Sequence, residues 1–312
     1  MAVIDHFLRG DRRALAKIIT HIENRRKNYR EVLARLYPRT GATYKIGFTG
    51  PPGAGKSSLV DAVADSFLKA DEMVGIVAVD PSSPFTSGAL LGDRIRMAKL
   101  SNRDDAFIRS MATRGSGGGL ASATKNVLVV LDAFGFDRIL VETVGVGQVE
   151  LDIVDAADTV VVVLVPESGD TIQAMKAGLM EIADIFCLNK SDREGADRFA
   201  AELGMMIDVK RRGSDWHYPV VQTSALKGFG IDELIGEMHA HQKYLKESGK
   251  FEKRRRRQVK AEIYNYLQEC LHEEINKRLG GELRLDDIVN QIVSGSSDPF
   301  TKASEIFDRY FK

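Results

Sequence analysis

The sequence is short of several features, and each shortage excludes a class of protein. Its 312 residues include two cysteines, Cys187 and Cys270, which excludes a disulfide-rich scaffold and a cysteine-rich metal site and favours a reducing compartment. The longest apolar run, residues 160–165, is far below the roughly 20 residues of a membrane-spanning helix. Basic and acidic residues balance at 44 each, so we expect neither a nucleic-acid partner nor a membrane partner.

The first residues, MAVIDHFLRGDRR, lack a long apolar segment after a basic start and are unlike a signal peptide. We therefore expect a cytoplasmic protein, or a mitochondrial-matrix protein whose import signal has been removed. With 44% hydrophobic and 28% charged residues, the composition is otherwise that of an ordinary globular protein.

Three regions differ in their hydrophobic pattern. Residues 1–41 predict a helical extension, because four apolar residues recur there at helical spacing: Leu15, Ile18, Ile19 and Ile22. Residues 42–246 alternate strand-like and helix-like segments and predict the central domain. Residues 247–312 predict a helical arm, in which Asp298 before Pro299 is a typical helix start. A second apolar stripe lies in this arm: Ile263, Leu267, Cys270, Leu271 and Ile275.

Seven segments of the central region are predicted strands. They are residues 44–49, 74–79, 106–109, 138–141, 159–165, 185–188 and 220–223. Several are continuous apolar runs, which are typical of strands covered on both faces. The region therefore predicts an α/β fold with a doubly wound, mostly parallel sheet.

The strongest motif is GPPGAGKS at residues 50–57, which fits G-x-x-x-x-G-K-[ST] at every fixed position between a predicted strand and a predicted helix. Glycines in such a loop let backbone N–H groups turn towards phosphate oxygens, and the helix N-terminus adds about half a positive charge. Lys56 is expected to reach the β- and γ-phosphates, and Ser57 to bind Mg²⁺. The predicted nucleotide contacts are Gly50, Pro52, Gly53, Ala54, Gly55, Lys56, Ser57 and Ser58.

A second motif, NKSD at residues 189–192, follows a predicted buried strand and is of the type that selects guanine. The carboxylate of Asp192 can accept hydrogen bonds from N1 and the exocyclic amine of guanine, and adenine lacks both donors. A site built on such bonds can discriminate by roughly 10⁴–10⁵. The predicted base contacts are Asn189, Lys190 and Asp192, with backbone N–H groups of Ser224, Ala225 and Leu226 near guanine O6.

Acidic residues end two predicted strands. Asp80 follows residues 74–79 and Glu142 follows residues 138–141, at the edge where ligands bind in parallel sheets. Gly145, three residues beyond Glu142, is expected to offer its N–H to the γ-phosphate. Residues 81–92, rich in Pro, Ser and Gly, predict a switch loop ahead of Asp93.

Five strings together resemble the MeaB/ArgK family of GTPases associated with methylmalonyl-CoA mutase. They are DPSSP at residues 80–84, LGD at 91–93, RSMATRG at 109–115, ETVGVGQ at 142–148 and NKSD at 189–192. The resemblance extends from about residue 5 to the end of the chain. ETVGVGQ and DPSSP are its specific parts.

The resemblance implies a SIMIBI-class P-loop GTPase that uses GTP and Mg²⁺, forms GDP, and dimerises with a second copy through the C-terminal arm. It implies a chaperone that gates cofactor loading and protection in an adenosylcobalamin-dependent acyl-CoA mutase. By position, Mg²⁺ would be held by Ser57, Asp80, Asp93 and Glu142, and the catalytic residues would be Lys56, Asp93 and Glu142. The switch and partner-coupling residues would be Gln148, Asp170 and Lys176.

Two other functions stay open. A nickel-inserting GTPase would need a Cys/His cluster, which two distant cysteines do not supply. An ATP-dependent protein kinase linked to amino-acid transport would need adenine selection, which NKSD opposes.

Three smaller features have structural interpretations. The arginine run at residues 254–257 is interpreted as a solvated helix start or as an interface for an acidic partner. Trp216 is interpreted as a loop anchor. His239 and His241 are two residues apart, so we expect them on different faces of a helix.

Overall fold

The structure is a computed structural model that describes residues 2–80, 100, 103–112, 122–143, 152–166, 178–210, 213–281 and 285–311. Its strands are β1 Tyr44–Thr49, β2 Val74–Asp80, β3 Ala106–Ala112, β4 Arg138–Glu142, β5 Thr159–Leu164, β6 Ile185–Leu188 and β7 Val220–Gln222. They form one sheet in the order β3-β2-β4-β1-β5-β6-β7, and every neighbouring pair is parallel. The predicted fold class is confirmed.

The helices are α1 Ala2–Leu8, α2 Arg12–Glu23, α3 Tyr29–Leu36, α4 Lys56–Lys69, α5 Ser122–Phe134, α6 Ala196–Lys210, α7 Ile231–Glu247, α8 Lys250–Gly281, α9 Leu285–Val293 and α10 Pro299–Phe311. Single helical turns occupy Tyr37–Arg39, Ile153–Asp155, Met180–Ile182 and Ala225–Lys227.

Helices cover both faces of the sheet. On β5, Val160 and Val162 lie in one apolar cluster with α2 and α5, while Val161 and Val163 lie in the other with α4 and α7. All four side chains are fully buried. Because successive side chains of a strand point to opposite faces, a strand buried on both faces is apolar throughout, as β5 is.

The N-terminal helices belong to the first of these clusters. Three α2 residues of the predicted stripe, Leu15, Ile19 and Ile22, are fully buried with side chains of α5 and the sheet. The carboxylate of Asp11 begins α2 by accepting hydrogen bonds from the backbone N–H groups of Arg13 (2.7 Å) and Ala14 (3.2 Å). The predicted helical stripe is therefore confirmed, and it attaches this layer to the sheet.

The chain divides into two compact units, Met1–Gln258 and Val259–Lys312, so α8 contributes residues to both. The division falls later than the boundary predicted at residue 246. In the second unit, Asp298 begins α10 by accepting a hydrogen bond from the N–H of Thr301 at 2.8 Å, as the sequence predicts. The α8 residues Ile263, Leu267 and Leu271 are exposed. Among the described residues, no helix is long and apolar enough to cross a membrane.

Buried ion pairs lie at the edge of the sheet where the strands begin. We call this edge the ionic edge. The guanidinium of Arg254 donates two hydrogen bonds to Asp184, at 2.8 and 3.0 Å. The guanidinium of Arg255 donates to Asp158 at 2.6 Å, and the ammonium of Lys45 donates to Asp132 at 2.6 Å. All three carboxylates are buried.

The interpretation of residues 254–257 as a solvated helix start is therefore wrong for Arg254 and Arg255, because both bind carboxylates of the sheet within the chain. Arg256 and Arg257, in contrast, are exposed. The carboxylate partners lie far from the run in sequence, so the local pattern does not reveal them.

The charges of the ionic edge determine two protonation states. Burial alone would raise the pKa of Asp184, but the charges of Arg254 and His241 and hydrogen bonds from Arg254 and Val160 hold it below its ordinary value. Burial lowers the pKa of His241 to about 4. Nδ1 of His241 lies 2.8 Å from the hydroxyl of Thr159, and Nε2 lies 3.4 Å from Asp184.

Trp216 anchors its loop at the same edge. Its indole N–H donates to the backbone carbonyl of Asp184 at 2.8 Å, and its ring is 4.8 Å from that of His241. The interpretation of Trp216 as a loop anchor is confirmed. Of the two neighbouring histidines of α7, His241 is buried and His239 is exposed beside the ring of Phe67, as different helix faces require.

Candidate functional site

The loop at residues 50–57 connects β1 to α4 at the opposite edge of the sheet, which we call the nucleotide edge. Gly50, Gly53 and Gly55 have φ values of +141°, +76° and +85°, which favour glycine. A Cβ on Gly50 would lie 2.1 Å from the carbonyl oxygen of Val163, and a Cβ on Gly55 would lie 2.5 Å from Nδ2 of Asn189. Two of the motif's glycines are thus required by close packing as well as by backbone conformation.

Lys56 is the first residue of α4, and its side chain folds over the loop. Its buried ammonium donates to the carbonyl oxygens of Gly50 at 2.7 Å and Pro51 at 3.0 Å. The loop, the lysine and the positive end of the α4 dipole therefore lie together, and this combination suits a polyphosphate.

Ser57 and Glu142 meet at this edge. The Ser57 hydroxyl donates to Oε1 of Glu142 at 2.6 Å, and Glu142 is 7% exposed at the end of β4. Glu142 lies in register with Phe48 of β1 and Ala78 of β2, because β4 lies between these strands. Two oxygen-bearing side chains predicted from separate motifs are thus hydrogen-bonded to each other.

Other predicted residues of this edge are described in part or not at all. Asp80 ends β2, whose C-terminal end lies at the nucleotide edge, but its side chain lies outside the described structure. Asp93, Gly145, Gln148, Asp170 and Lys176 all lie outside the described residues. Within the described ranges, no group of three or more His, Cys, Asp or Glu side chains is placed to hold a metal ion.

Asn189 connects the NKSD segment to the phosphate loop. Its Nδ2 donates to the carbonyl oxygen of Ala54 at 2.9 Å, and its Oδ1 accepts from the Thr223 hydroxyl and the Ala225 N–H, each at 3.2 Å. Asn189 is buried, so these bonds fix the relative positions of three loops. The participation of Thr223 has no signal in the sequence.

Lys190 contacts the phosphate loop. Its ammonium donates to the carbonyl oxygen of Gly53 at 2.7 Å, and its backbone has φ of +59°, which is uncommon for a residue with a side chain. The aliphatic stem of Lys190 therefore lies beside the phosphate loop, and its predicted contact with the base remains a prediction.

Asp192 faces a cation that no sequence motif predicts. The Lys227 ammonium is 3.0 Å from its carboxylate. Hydrogen bonds from Ser224 and then Lys227 hold the pKa of Asp192 below its ordinary value, so the group is an anionic acceptor at neutral pH. Lys227 directly follows the predicted segment 224–226. Its contact with Asp192 could not be predicted, because the two residues are far apart in sequence.

The segment 224–226 is placed beside Asn189, but two of its N–H groups have partners within the protein. Ser224 N–H donates to the carbonyl oxygen of Phe229 at 3.0 Å, and Ala225 N–H donates to Asn189. Leu226 is 92% exposed. The predicted contact with guanine O6 remains a prediction.

A glycine-rich loop lies between a strand and a helix, with a serine–glutamate pair beside it, and an asparagine joins this loop to the NKSD segment. This arrangement defines a P-loop GTPase. The chain belongs to a particular family of this class, described as methylmalonyl Co-A mutase-associated GTPase MeaB, whose family model matches residues 15–279. The protein is thus a GTPase that binds guanine nucleotide.

Individual proteins are similar to this chain over most of its length. A predicted GTPase of Pyrococcus abyssi is 47% identical over 97% of this chain and 94% of its own length. The mouse protein named methylmalonic aciduria type A homolog, mitochondrial, is 33% identical over 98% of this chain and 78% of its own length. Among solved structures, one described as LAO/AO transport system kinase has a TM-score of 0.72 at 26% identity, covering 98% of this chain and 96% of that one.

Proposed function

We propose that this GTPase is a molecular switch that acts as a chaperone for an adenosylcobalamin-dependent acyl-CoA mutase, gating loading and protection of the cofactor. The observation that carries the proposal is the junction at Asn189, which ties the base-reading segment to the phosphate loop through Ala54. Membership of a family described by its mutase association and the name of the mouse relative support the choice of partner.

The residues at the nucleotide edge fit a magnesium ion. Mg²⁺ prefers oxygen ligands, and the Ser57 hydroxyl and Glu142 carboxylate are adjacent at the start of α4 and the end of β4. We propose Ser57, Asp80, Asp93 and Glu142 as the residues that would hold it. When bound, Mg²⁺ would neutralise charge on the β- and γ-phosphate oxygens.

The chain's own groups would bind the triphosphate and stabilise the charge that spreads over the γ-phosphate as water attacks it. In this proposal, Lys56 exchanges the carbonyl oxygens of Gly50 and Pro51 for phosphate oxygens, and the loop's N–H groups hold the phosphates in line. Gly145 would donate to the γ-phosphate and Gln148 would orient water. Gln148, Asp170 and Lys176 would also relay nucleotide state to the partner.

Guanine selection has a direct test in nucleotide competition. GTP should displace bound GDP, and ATP should fail to do so by roughly 10⁴-fold in affinity. Asp192→Asn should shift preference towards xanthine nucleotides, because an amide can donate to the C2 oxygen of xanthine. Equal competition by ATP would contradict guanine selection and favour the kinase alternative.

Partnership with a mutase is tested by co-purification with candidate adenosylcobalamin-dependent acyl-CoA mutases, in the presence of GDP or of a non-hydrolysable GTP analogue. The proposal predicts a complex whose stability depends on which nucleotide is present. A complex indifferent to nucleotide would argue against switching, and no complex with any candidate would argue against the partner class.

We propose in addition that the protein is a homodimer formed through its C-terminal arm. The exposed apolar residues Ile263, Leu267 and Leu271 of α8 support this, because burying them in a second copy would be favourable. Ile263→Glu with Leu267→Glu should halve the mass measured by analytical ultracentrifugation, whereas Lys277→Glu on the same helix should leave it unchanged.

A further inference from the structure

The three N-terminal helices enclose a groove that the proposed function does not use. It lies between α1, α2 and α3 and has a volume of about 650 Å³. Its floor is apolar, formed by Val3, Ile4, Ala16, Ile18 and Val32. We call this feature the N-terminal groove, and none of its lining residues belongs to the nucleotide edge.

Cations border the groove. Lys17 and Arg26 line it and are exposed, and neither forms an ion pair with any residue that the structure describes. Their charges are therefore available to a ligand with carboxylates on either side of an apolar stripe.

The charge of this region differs from that of the rest of the chain. Residues 1–41 contain ten lysines and arginines and four aspartates and glutamates, an excess of six positive charges. Because the whole chain has 44 of each type, residues 42–312 carry an excess of six negative charges. The neutral total conceals a basic helical layer with an apolar groove in it.

A buried polar atom in the groove also points to a ligand. Nε2 of His21 is buried, and no residue within the described ranges forms a hydrogen bond with it. A buried polar atom without a partner is costly, so a ligand group that reached this nitrogen would be stabilised.

We propose that the N-terminal groove docks an acidic amphipathic helix of a partner protein. Such a helix would place its apolar stripe on the groove floor and its carboxylates beside Lys17 and Arg26, as helices do in grooves of this kind. The layer is a rigid platform for docking, since α2 is fixed to the sheet by Leu15, Ile19 and Ile22. This goes beyond the proposed switch function and does not depend on which enzyme is the partner.

The test uses isothermal titration calorimetry of the full-length protein with two synthetic peptides of about 18 residues, long enough to form helices. Both carry leucine on one face. The first has glutamate on the other face, and the second has lysine there. We expect the glutamate peptide to bind at least about tenfold more tightly than the lysine peptide, with an affinity that falls as salt rises.

Two charge-reversal variants locate the binding. Lys17→Glu with Arg26→Glu should weaken the glutamate peptide at least about tenfold. Lys246→Glu with Lys253→Glu makes the same change in net charge at exposed positions outside the groove and should have little effect. GTP hydrolysis should be unchanged in both variants, which separates failure of docking from failure of the proposed switch.

Three results would overturn the proposal. They are failure of the glutamate peptide to bind, equal binding of the two peptides, and equal loss of affinity in the two charge variants. Loss of self-association in the Lys17/Arg26 variant without peptide binding to the unmodified protein would assign the groove to a second copy of the chain instead.

Discussion

At the nucleotide edge of the sheet, polar groups belong to short sequence motifs, and two of their contacts are single hydrogen bonds, from Ser57 to Glu142 and from Asn189 to Ala54. At the ionic edge, charged side chains that belong to no motif form buried ion pairs, such as the two hydrogen bonds from Arg254 to Asp184. A single hydrogen bond can be exchanged for a bond to a ligand. A buried pair of opposite charges holds its elements together and is costly to open. One sheet can therefore carry replaceable contacts at one edge and permanent contacts at the other.

Damage to the ionic edge should reduce stability more than damage to the nucleotide edge. Arg254→Met leaves the buried carboxylate of Asp184 without its main counter-charge and should lower the free energy of unfolding by about 3–5 kcal/mol. Urea denaturation followed by circular dichroism measures this. Arg256→Met, at an exposed position in the same arginine run, should change it by less than about 0.5 kcal/mol. Equal changes in the free energy of unfolding would show that Arg254 matters no more to stability than the exposed Arg256.

Damage to the nucleotide edge should reduce activity and spare stability. Lys56→Ala removes the cation beside the phosphate loop and should lower kcat for GTP hydrolysis by about 10²–10³-fold. The melting temperature should be nearly unchanged, since Lys56 contacts carbonyl oxygens of its own loop. Lys69→Ala, at the exposed end of the same helix, is the control and should retain full activity. A large loss of stability in Lys56→Ala would show that this edge, too, is structural.

Acid should weaken the ionic edge before the carboxylates titrate. The pKa of His241 is lowered from 6.5 to about 4, so the unfolded chain binds a proton that the folded chain does not between these values. The free energy of unfolding therefore falls as pH decreases from 6.5 to 4, and His241 accounts for up to about 3 kcal/mol of this fall. Below that range, Asp184 adds a further loss as pH falls through its lowered folded pKa.

His241→Gln should flatten the decline between pH 6.5 and 4 in urea titrations, because glutamine does not titrate in that range. His272→Gln, at an exposed position of α8, should leave the profile unaltered. An unchanged slope in His241→Gln would locate the acid sensitivity elsewhere.

The smallest predicted effect concerns backbone conformation alone. Gly53 has φ of +76° and nothing within 4 Å of an added Cβ, so Gly53→Ala should cost about 1–2 kcal/mol through strain only. Gly204→Ala, in α6 with equal space and no positive φ, should instead stabilise by about 0.5–1 kcal/mol. Both are measured by thermal denaturation. If both substitutions changed stability in the same direction, φ would not determine the effect of replacing glycine by alanine.

The same contrast explains how much could be predicted from the sequence. Six of the seven predicted strands agree with the structure within one residue at each end, and β3 extends beyond its predicted end to Ala112. Continuous apolar runs such as β5 are strong signals, because burial on both faces leaves no polar position. The placement of Ser57 beside Glu142 also follows from two local motifs and the parallel order of the strands.

The ionic edge had no such signal. Asp132, Asp158 and Asp184 each look like ordinary surface acids, and their partners are separated from them by long stretches of chain. The Lys227 contact with Asp192 was missed for the same reason. A sequence pattern predicts chemistry that neighbouring residues perform together, but pairs that meet only through the fold become visible only in the structure.

The contact of Trp216 with the ionic edge has a practical consequence. It is the sole tryptophan of the chain, and its ring lies 4.8 Å from that of His241. Its intrinsic fluorescence therefore reports on this edge alone, without a label or an introduced residue. Emission from a buried indole shifts to longer wavelength on exposure to water, so a change in its spectrum on addition of nucleotide would reveal communication across the full depth of the sheet.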